Sequence, residues 1–293
     1  MSFLSETFIA DTMAEVIDAT SWPEIGGLLP PGTRDKVWVY DPETGRRALF
    51  KHPKPGTCEH VCEKLTALIA GALGLAVPAV AYARRGEFLG SVIYSFLGDG
   101  ERLVHGGEVF AGLFDGFDPW DYKAHTYQRI RKVMILPAIG LRLHEMILLD
   151  ALVGNVDRHV NNWGFVSNSF QYFAPFFDNG SSLIARCDGD KCGQLIRDKM
   201  QFDGLVRNCE SRIYWEEGDR SLKLRHFDFV ARLKIEFPRD LRAVEGRFRD
   251  TAPSVLVDCV DDVPDAWLTP AQRQVAATLI RTRHQRLLEV LAV

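Results

Sequence analysis

The stretch from 127 to 180 constrains this chain more than any other. Tyr127 to Val153 carries long helical periodicity, interrupted near Pro137, and stops at Gly154, where a C-terminal cap belongs. Beyond the cap come Asn155-Val-Asp157-Arg158-His159-Val-Asn-Asn162, then Trp163 to Val166, a turn at Ser167-Asn-Ser169, and Phe170 to Phe177 leading into Asp178-Asn-Gly180. The pattern predicts a buried helix, a polar loop, and a hairpin whose far end delivers a second acid.

Such a set suits phosphoryl transfer from ATP. Magnesium wants hard oxygen ligands, while an acceptor hydroxyl wants a carboxylate nearby. Asp157 is expected to orient the hydroxyl or accept its proton, and Asn162 and Asp178 are expected to hold Mg2+. The spacing from Asp157 to Asn162 equals that between the aspartate and the metal-binding asparagine of a kinase catalytic loop. Arg158 and His159 are read as scaffold, holding backbone carbonyls or a neighbouring carboxylate.

The upstream half supplies complementary parts. Lys36 to Tyr40 and Arg47 to Lys51 read as a hairpin around a turn at Asp41 to Gly45, so its second strand ends on a lysine. A helix runs on from Glu59, with Val61, Leu65, Leu68, Ala72 and Leu75 on one stripe. Glu63 lies off that stripe among Thr66, Ala67, Ala70 and Gly71, whose small size permits close approach of another element. A lysine for the phosphates and a helix glutamate form the ion pair this chemistry needs. Lys51 is the expected lysine and Glu63 the expected partner, with Glu59 left as an alternative. Gly32, Thr33, Arg34 and Lys36 form a loop whose backbone N–H groups and lysine fit phosphate oxygens. Val77 to Ala83 and Glu87 to Phe96 read as two further strands, and Glu6 to Ala19 as a helix. Gly98-Asp-Gly100 marks the expected boundary between a strand-rich region, 1–98, and a mainly helical one, 99–293.

With 293 residues, 46% of them hydrophobic, the chain can bury a large core, and its formal charge of -4 gives no global basic field. Non-specific nucleic-acid binding is therefore not expected. The longest apolar run, Leu65 to Ala83, is broken by Gly71, Gly74 and Pro78, so no membrane span is expected. The opening residues carry Glu6 and Asp11 without a basic stretch and an apolar run, so no signal peptide is expected either. Six cysteines without a paired CxxC pattern read as reduced thiols, and the expected location is cytoplasmic. His144-Glu145 begins like a zincin helix, but Leu148 stands where a second histidine would be, so core placement suffices. Thr269 and Pro270 open a last helix whose Arg281, Arg283 and Arg286 are expected to be exposed.

These residues together resemble the HipA-like serine/threonine kinases, a branch of the protein-kinase-like fold shared more distantly with phosphatidylinositol kinases. The likeness rests on the Gly32 to Lys36 loop, Leu49-Phe-Lys51, the Glu63-Lys-Leu helix ending Ala72-Leu-Gly-Leu75, and Asp150 to His159 with Asn162. It extends through Ala174 to Leu183, Val263-Pro-Asp-Ala-Trp267 and the late arginine-rich helix. The resemblance implies an α+β, bilobal fold with a small antiparallel-sheet lobe and a mainly helical lobe, and ATP bound between them. It implies Asp157 as the catalytic aspartate, Mg2+ on Asn162 and Asp178, Lys51 on the phosphates, and backbone groups around Tyr94, Phe96 and Leu97 against adenine. It also implies a protein serine or threonine as acceptor.

Two departures stand out. The short stretch before Gly32 is expected to leave no room for the extra N-terminal subdomain of toxin-type members, and Leu29, Pro30 and Pro31 stand where those members place their autophosphorylated serine. Both speak against a toxin role paired with a DNA-binding antitoxin. A phosphatidylinositol or small-molecule kinase, and a nucleotide-binding pseudokinase acting as an interaction module, stay open as alternatives.

Overall fold

The computed structural model describes residues 16–26, 36–134, 136–168, 171–217 and 223–292, without the side chains of 137 and 138. Gly32, Thr33 and Arg34, and the expected helix as far as residue 15, lie outside the described residues.

Five strands form the first sheet: β1 (Ile17–Asp18), β2 (Lys36–Tyr40), β3 (Arg47–Lys51), β4 (Val80–Arg85) and β5 (Phe88–Tyr94), in the order β1-β4-β5-β3-β2. The expected hairpin is β2 and β3, with Lys36 directly across the ladder from Lys51. Residues so paired leave the same face of a sheet. Ser91 of β5 stands opposite Lys51 on the other side, and Tyr82 of β4 opposite Ser91. This is the face covered by α1 (Glu59–Ala72), where Ala67 packs on Val80 and Ile93. The other face closes over Ala19, Trp22, Val39, Phe50 and Val92.

The end of the expected N-terminal helix is instead the parallel strand β1, paired with β4 through Ile17 and Ala83. Its helical spacing yields to backbone hydrogen bonding with a strand far along the chain.

The rest of the chain is mainly helical but carries a second sheet, β6 (Arg102–His105), β7 (Gly164–Ser167) and β8 (Gln171–Phe173). The helices are α2 (Gly106–Leu113), α3 (Tyr127–Val133), α4 (Pro137–Val153), α5 (Gly189–Arg197) and α6 (Lys199–Arg207), then α7 (His226–Glu236), α8 (Pro238–Asp250), α9 (Pro253–Asp258) and α10 (Pro270–Ala292). From Leu143 onward α4 is nearly all buried, so it forms the centre of the main core and packs against α7, α8 and α10. A helix apolar on all sides can only be stable there. It ends where expected, at Gly154 with φ 68°, a left-handed conformation that favours glycine.

Arg283 departs from expectation. It is buried, and its guanidinium donates to the carbonyls of Ala151 at 2.8 Å and Val206 at 2.9 Å. The carbonyl-rich end of α4 takes up its charge in place of solvent.

Four buried histidines stay neutral in the fold. Burial holds His125 and His226 down to about 3, and His60 and His144 to about 4. The unfolded chain charges them near the ordinary pKa of about 6.5, so their contribution is complete above that pH and is lost as pH falls toward 4. Each ring then costs about 1.4 kcal/mol per pH unit. Denaturant titrations at pH 7 and pH 5 should differ by several kcal/mol, and a flat profile would mean the rings charge within the fold.

Candidate functional site

Three elements converge on Lys51. The end of β3 carries it into a buried position, where Nζ lies 3.0 Å from Glu63 Oε2 and 3.0 Å from Asp178 Oδ1. Burial opposes its charge, but the carboxylates of Asp178 and Glu63 outweigh that and hold its pKa above the ordinary value. Glu63, rather than Glu59, is the partner. Its Oε1 also accepts the backbone N–H of Asn179 at 2.8 Å, so one side chain fixes both the lysine and the turn beside Asp178. Asp178 itself has φ 58°, a conformation a non-glycine residue rarely adopts. Such strain persists only where surrounding bonds enforce it.

The loop after Gly154 is built around its own backbone. The carbonyl of Asp157 accepts the N–H of His159 at 2.7 Å and the side-chain amide of Asn162 at 2.8 Å. With its nitrogen so engaged, Asn162 has its oxygen left for a ligand. His159 lies within electrostatic reach of both Asp157 and Asp178, and burial holds it below its ordinary pKa against their pull. Both acids thus act on the one imidazole.

Arg158 is the hub. Its guanidinium, 1% exposed, donates to both carboxylate oxygens of Asp150, to the carbonyls of Asn162 and Phe177, and to Asn179 Oδ1. The scaffold reading of Arg158 holds in full. Asp150 and Asn179 were not expected as site supports. The available signal was a single carboxylate inside the apolar run from Met146 to Val153, since a charge so placed needs a partner. Behind the loop, Trp163 Nε1 donates to His125 Nε2 at 2.9 Å, and the start of α2 passes so close to Trp163 that any side chain at Gly106 would collide with it.

Of the residues expected against adenine, Phe96 stacks on Phe177 with ring centroids 5.9 Å apart, immediately before Asp178. Leu97 donates its N–H to Ser95 Oγ at 3.3 Å. Tyr94 ends β5. Its N–H goes to Ala79 O, and its ring turns to the far face of the sheet, against Trp22 and with its hydroxyl donating to Asp41. Ser181 and Ser182 are buried, and Ser182 shares a hydrogen bond of 2.7 Å with Thr66, so Ser182 belongs to the packing of α1.

The donor set fits magnesium. Lys51, Glu63 and Asp178 together carry one more carboxylate than cation, and Asp178 with Asn162 offers hard oxygens. Among the described residues no group of three or more histidine, cysteine, aspartate or glutamate side chains could hold a metal by itself. An acid and an amide would leave the remaining positions to phosphate oxygens and water, as magnesium prefers. The six cysteines are free, and among the described residues no helix is long and apolar enough to cross a membrane.

A crystal structure of the Helicobacter pylori proinflammatory kinase CtkA superposes with a TM-score of 0.81 at 18% identity, covering 94% of this chain and 97% of that one. HipA of Shewanella oneidensis MR-1, solved with HipB and operator DNA, superposes with a TM-score of 0.55 at 14% identity over 91% of this chain and 67% of that one. These likenesses establish the fold as the bilobal protein-kinase-like one. In sequence, the serine/threonine-protein kinase CtkA of Helicobacter pylori strain J99 is 35% identical over 89 residues, 29% of this chain and 27% of the relative's length. Residues 28–267 match the HipA-like C-terminal domain, and the chain belongs to that family.

Proposed function

We propose that this protein is an ATP- and Mg2+-dependent kinase that transfers the γ-phosphoryl group to a serine or threonine hydroxyl of a protein. The observation that carries this reading is Lys51 Nζ at 3.0 Å from both Glu63 and Asp178. That pairing holds a phosphate-binding cation beside a metal-binding acid. The kinase names of its relatives support the same reading. The two lobes would divide near Gly98, with nucleotide between them and the residues around Phe96 and Leu97 against the base. Gly32, Thr33, Arg34 and Lys36 would lie along the phosphates, and the compartment would be the reducing cytoplasm.

In this mechanism Asp157 receives the proton of the acceptor hydroxyl as its oxygen attacks the γ-phosphorus and the bond from that phosphorus to the bridging oxygen breaks, releasing ADP. Lys51 offsets charge on the phosphates, and Glu63 keeps it aimed. Asn162 and Asp178 would hold Mg2+, which would supply positive charge against the charge that develops on the phosphates. Arg158 keeps Asn162 and the approach to Asp178 in one frame.

Radiolabelled ATP supplied with protein and phosphoinositide acceptors tests this. Label should reach protein, require Mg2+, and fall at least about a hundredfold in Asp157→Asn. Undiminished transfer by that variant would remove Asp157 from its role, and label only on lipid would replace the acceptor class.

A further inference from the structure

Several arginines of the helical half are neutralised by carboxylates. Arg158 pairs with Asp150, Arg129 with Glu217 and Arg131 with Asp240. Arg212 has no ion pair or side-chain hydrogen bond among the described residues, and its buried Nε lacks a partner. Its guanidinium instead lies over the ring of Tyr122, 4.0 Å from the centroid. A cation held over an aromatic face keeps its orientation, and Arg212 as a whole is part-exposed, so its remaining N–H groups can reach a ligand.

Arg212 is tied to the catalytic loop through the backbone around it. Tyr214 donates its N–H to His125 O, and Tyr127 returns one to Tyr214 O. His125 in turn holds Trp163, the residue after Asn162. Tyr122, which carries the guanidinium, lies three residues before His125 and on the same exposed stretch as Trp120, so Arg212 stands on the His125 side of the loop that would receive the acceptor hydroxyl.

We infer that Arg212, held by Tyr122, is a specificity residue that binds a carboxylate of the acceptor polypeptide close to its serine or threonine. This rests on the phosphotransfer reading above. A single fork-shaped cation suits one carboxylate, whereas a phosphoinositide headgroup with several phosphates calls for a cluster of cations. The exposed tryptophan and tyrosine favour a polypeptide, whose side chains can lie on their faces.

The test compares peptides whose serine or threonine is flanked by Asp or Glu, by Asn or Gln, or by Lys, each phosphorylated by wild type, Arg212→Gln and Arg212→Glu. The readout is the ratio of kcat/KM between peptides within one enzyme, which cancels any misfolded fraction. Wild type should favour the acidic peptide by roughly tenfold or more, as expected for a charge-assisted hydrogen bond. Arg212→Gln should bring the ratio near one, and Arg212→Glu should turn it toward lysine. Added salt should shrink the wild-type ratio. The inference is overturned if wild type uses all peptides alike, or if its acidic preference survives in Arg212→Gln. Either result leaves the kinase reading standing. Arg212-dependent transfer to inositol phosphates but to no peptide overturns the polypeptide assignment, and no transfer to any acceptor removes both readings.

Discussion

Lys51→Met should lose phosphotransfer and stability together, and adding Glu63→Gln should return the stability alone. Side chains of Lys51 and Glu63 are 8% and 3% exposed, and Asp178 is 21% exposed. Removing the ammonium leaves two carboxylates facing each other with no cation between them. Breaking a buried pair from one side costs about 3–5 kcal/mol, because the remaining charge is uncompensated. For a chain of this size that is a fall in Tm of about 5–8 °C. Glu63→Gln removes the excess charge while an amide oxygen can still accept the Asn179 N–H, so the double variant should regain most of that loss. Activity should not recover with it, since the phosphates still lack their cation, and a loss of two to three orders of magnitude is expected for such a group. Calorimetry beside label transfer separates the two effects. Transfer near the wild-type rate by the stable double variant would remove Lys51 from the chemistry.

How far this site was legible in the sequence depended on how local each signal was. The hairpin ending on Lys51 came from alternation and a turn, both contained in sixteen residues, and it stands as expected from Lys36 to Lys51. The loop from Gly154 was equally local, because the glycine cap fixes where α4 stops. The choice between Glu59 and Glu63 was not local. They lie one helical turn apart, and nearly every residue of α1 is buried, so periodicity could not say which side meets β3. The same reason hid β6, four residues that become a strand only by pairing with β7 some sixty positions later. Arg283 read as a surface charge because its partners are carbonyls of other helices, and carbonyls leave no mark on a sequence. Tyr94 was expected to offer backbone groups to adenine, and its N–H is taken by Ala79 O within the sheet.

Arg158 sets the other large expectation. It gathers an acid on α4, the carbonyl of Asn162, and the carbonyl and amide flanking Asp178, at 2.6 to 3.0 Å. Asp150 helps to keep the guanidinium charged despite complete burial, so the pair acts as a fixed frame. Arg158→Met leaves Asp150 buried and unpaired, and about 3–5 kcal/mol of stability should be lost. Arg158→Lys keeps the charge but not the fork, and three donors on a flexible stem cannot serve acid, carbonyls and amide at once. Combining Arg158→Met with Asp150→Asn neutralises the buried acid and should recover much of the stability. The carbonyls of Asn162 and Phe177 still lose their donor, so the two residues proposed to hold Mg2+ lose their common support. Turnover should then stay at least about tenfold low and demand more Mg2+ for half-maximal rate, because misplacement of about 1 Å costs that much or more. If the neutral pair matched wild type in both unfolding and magnesium dependence, the loop and the hairpin end would have to be held in register by their backbone bonds alone, among them Val156 N–H to Ser181 O.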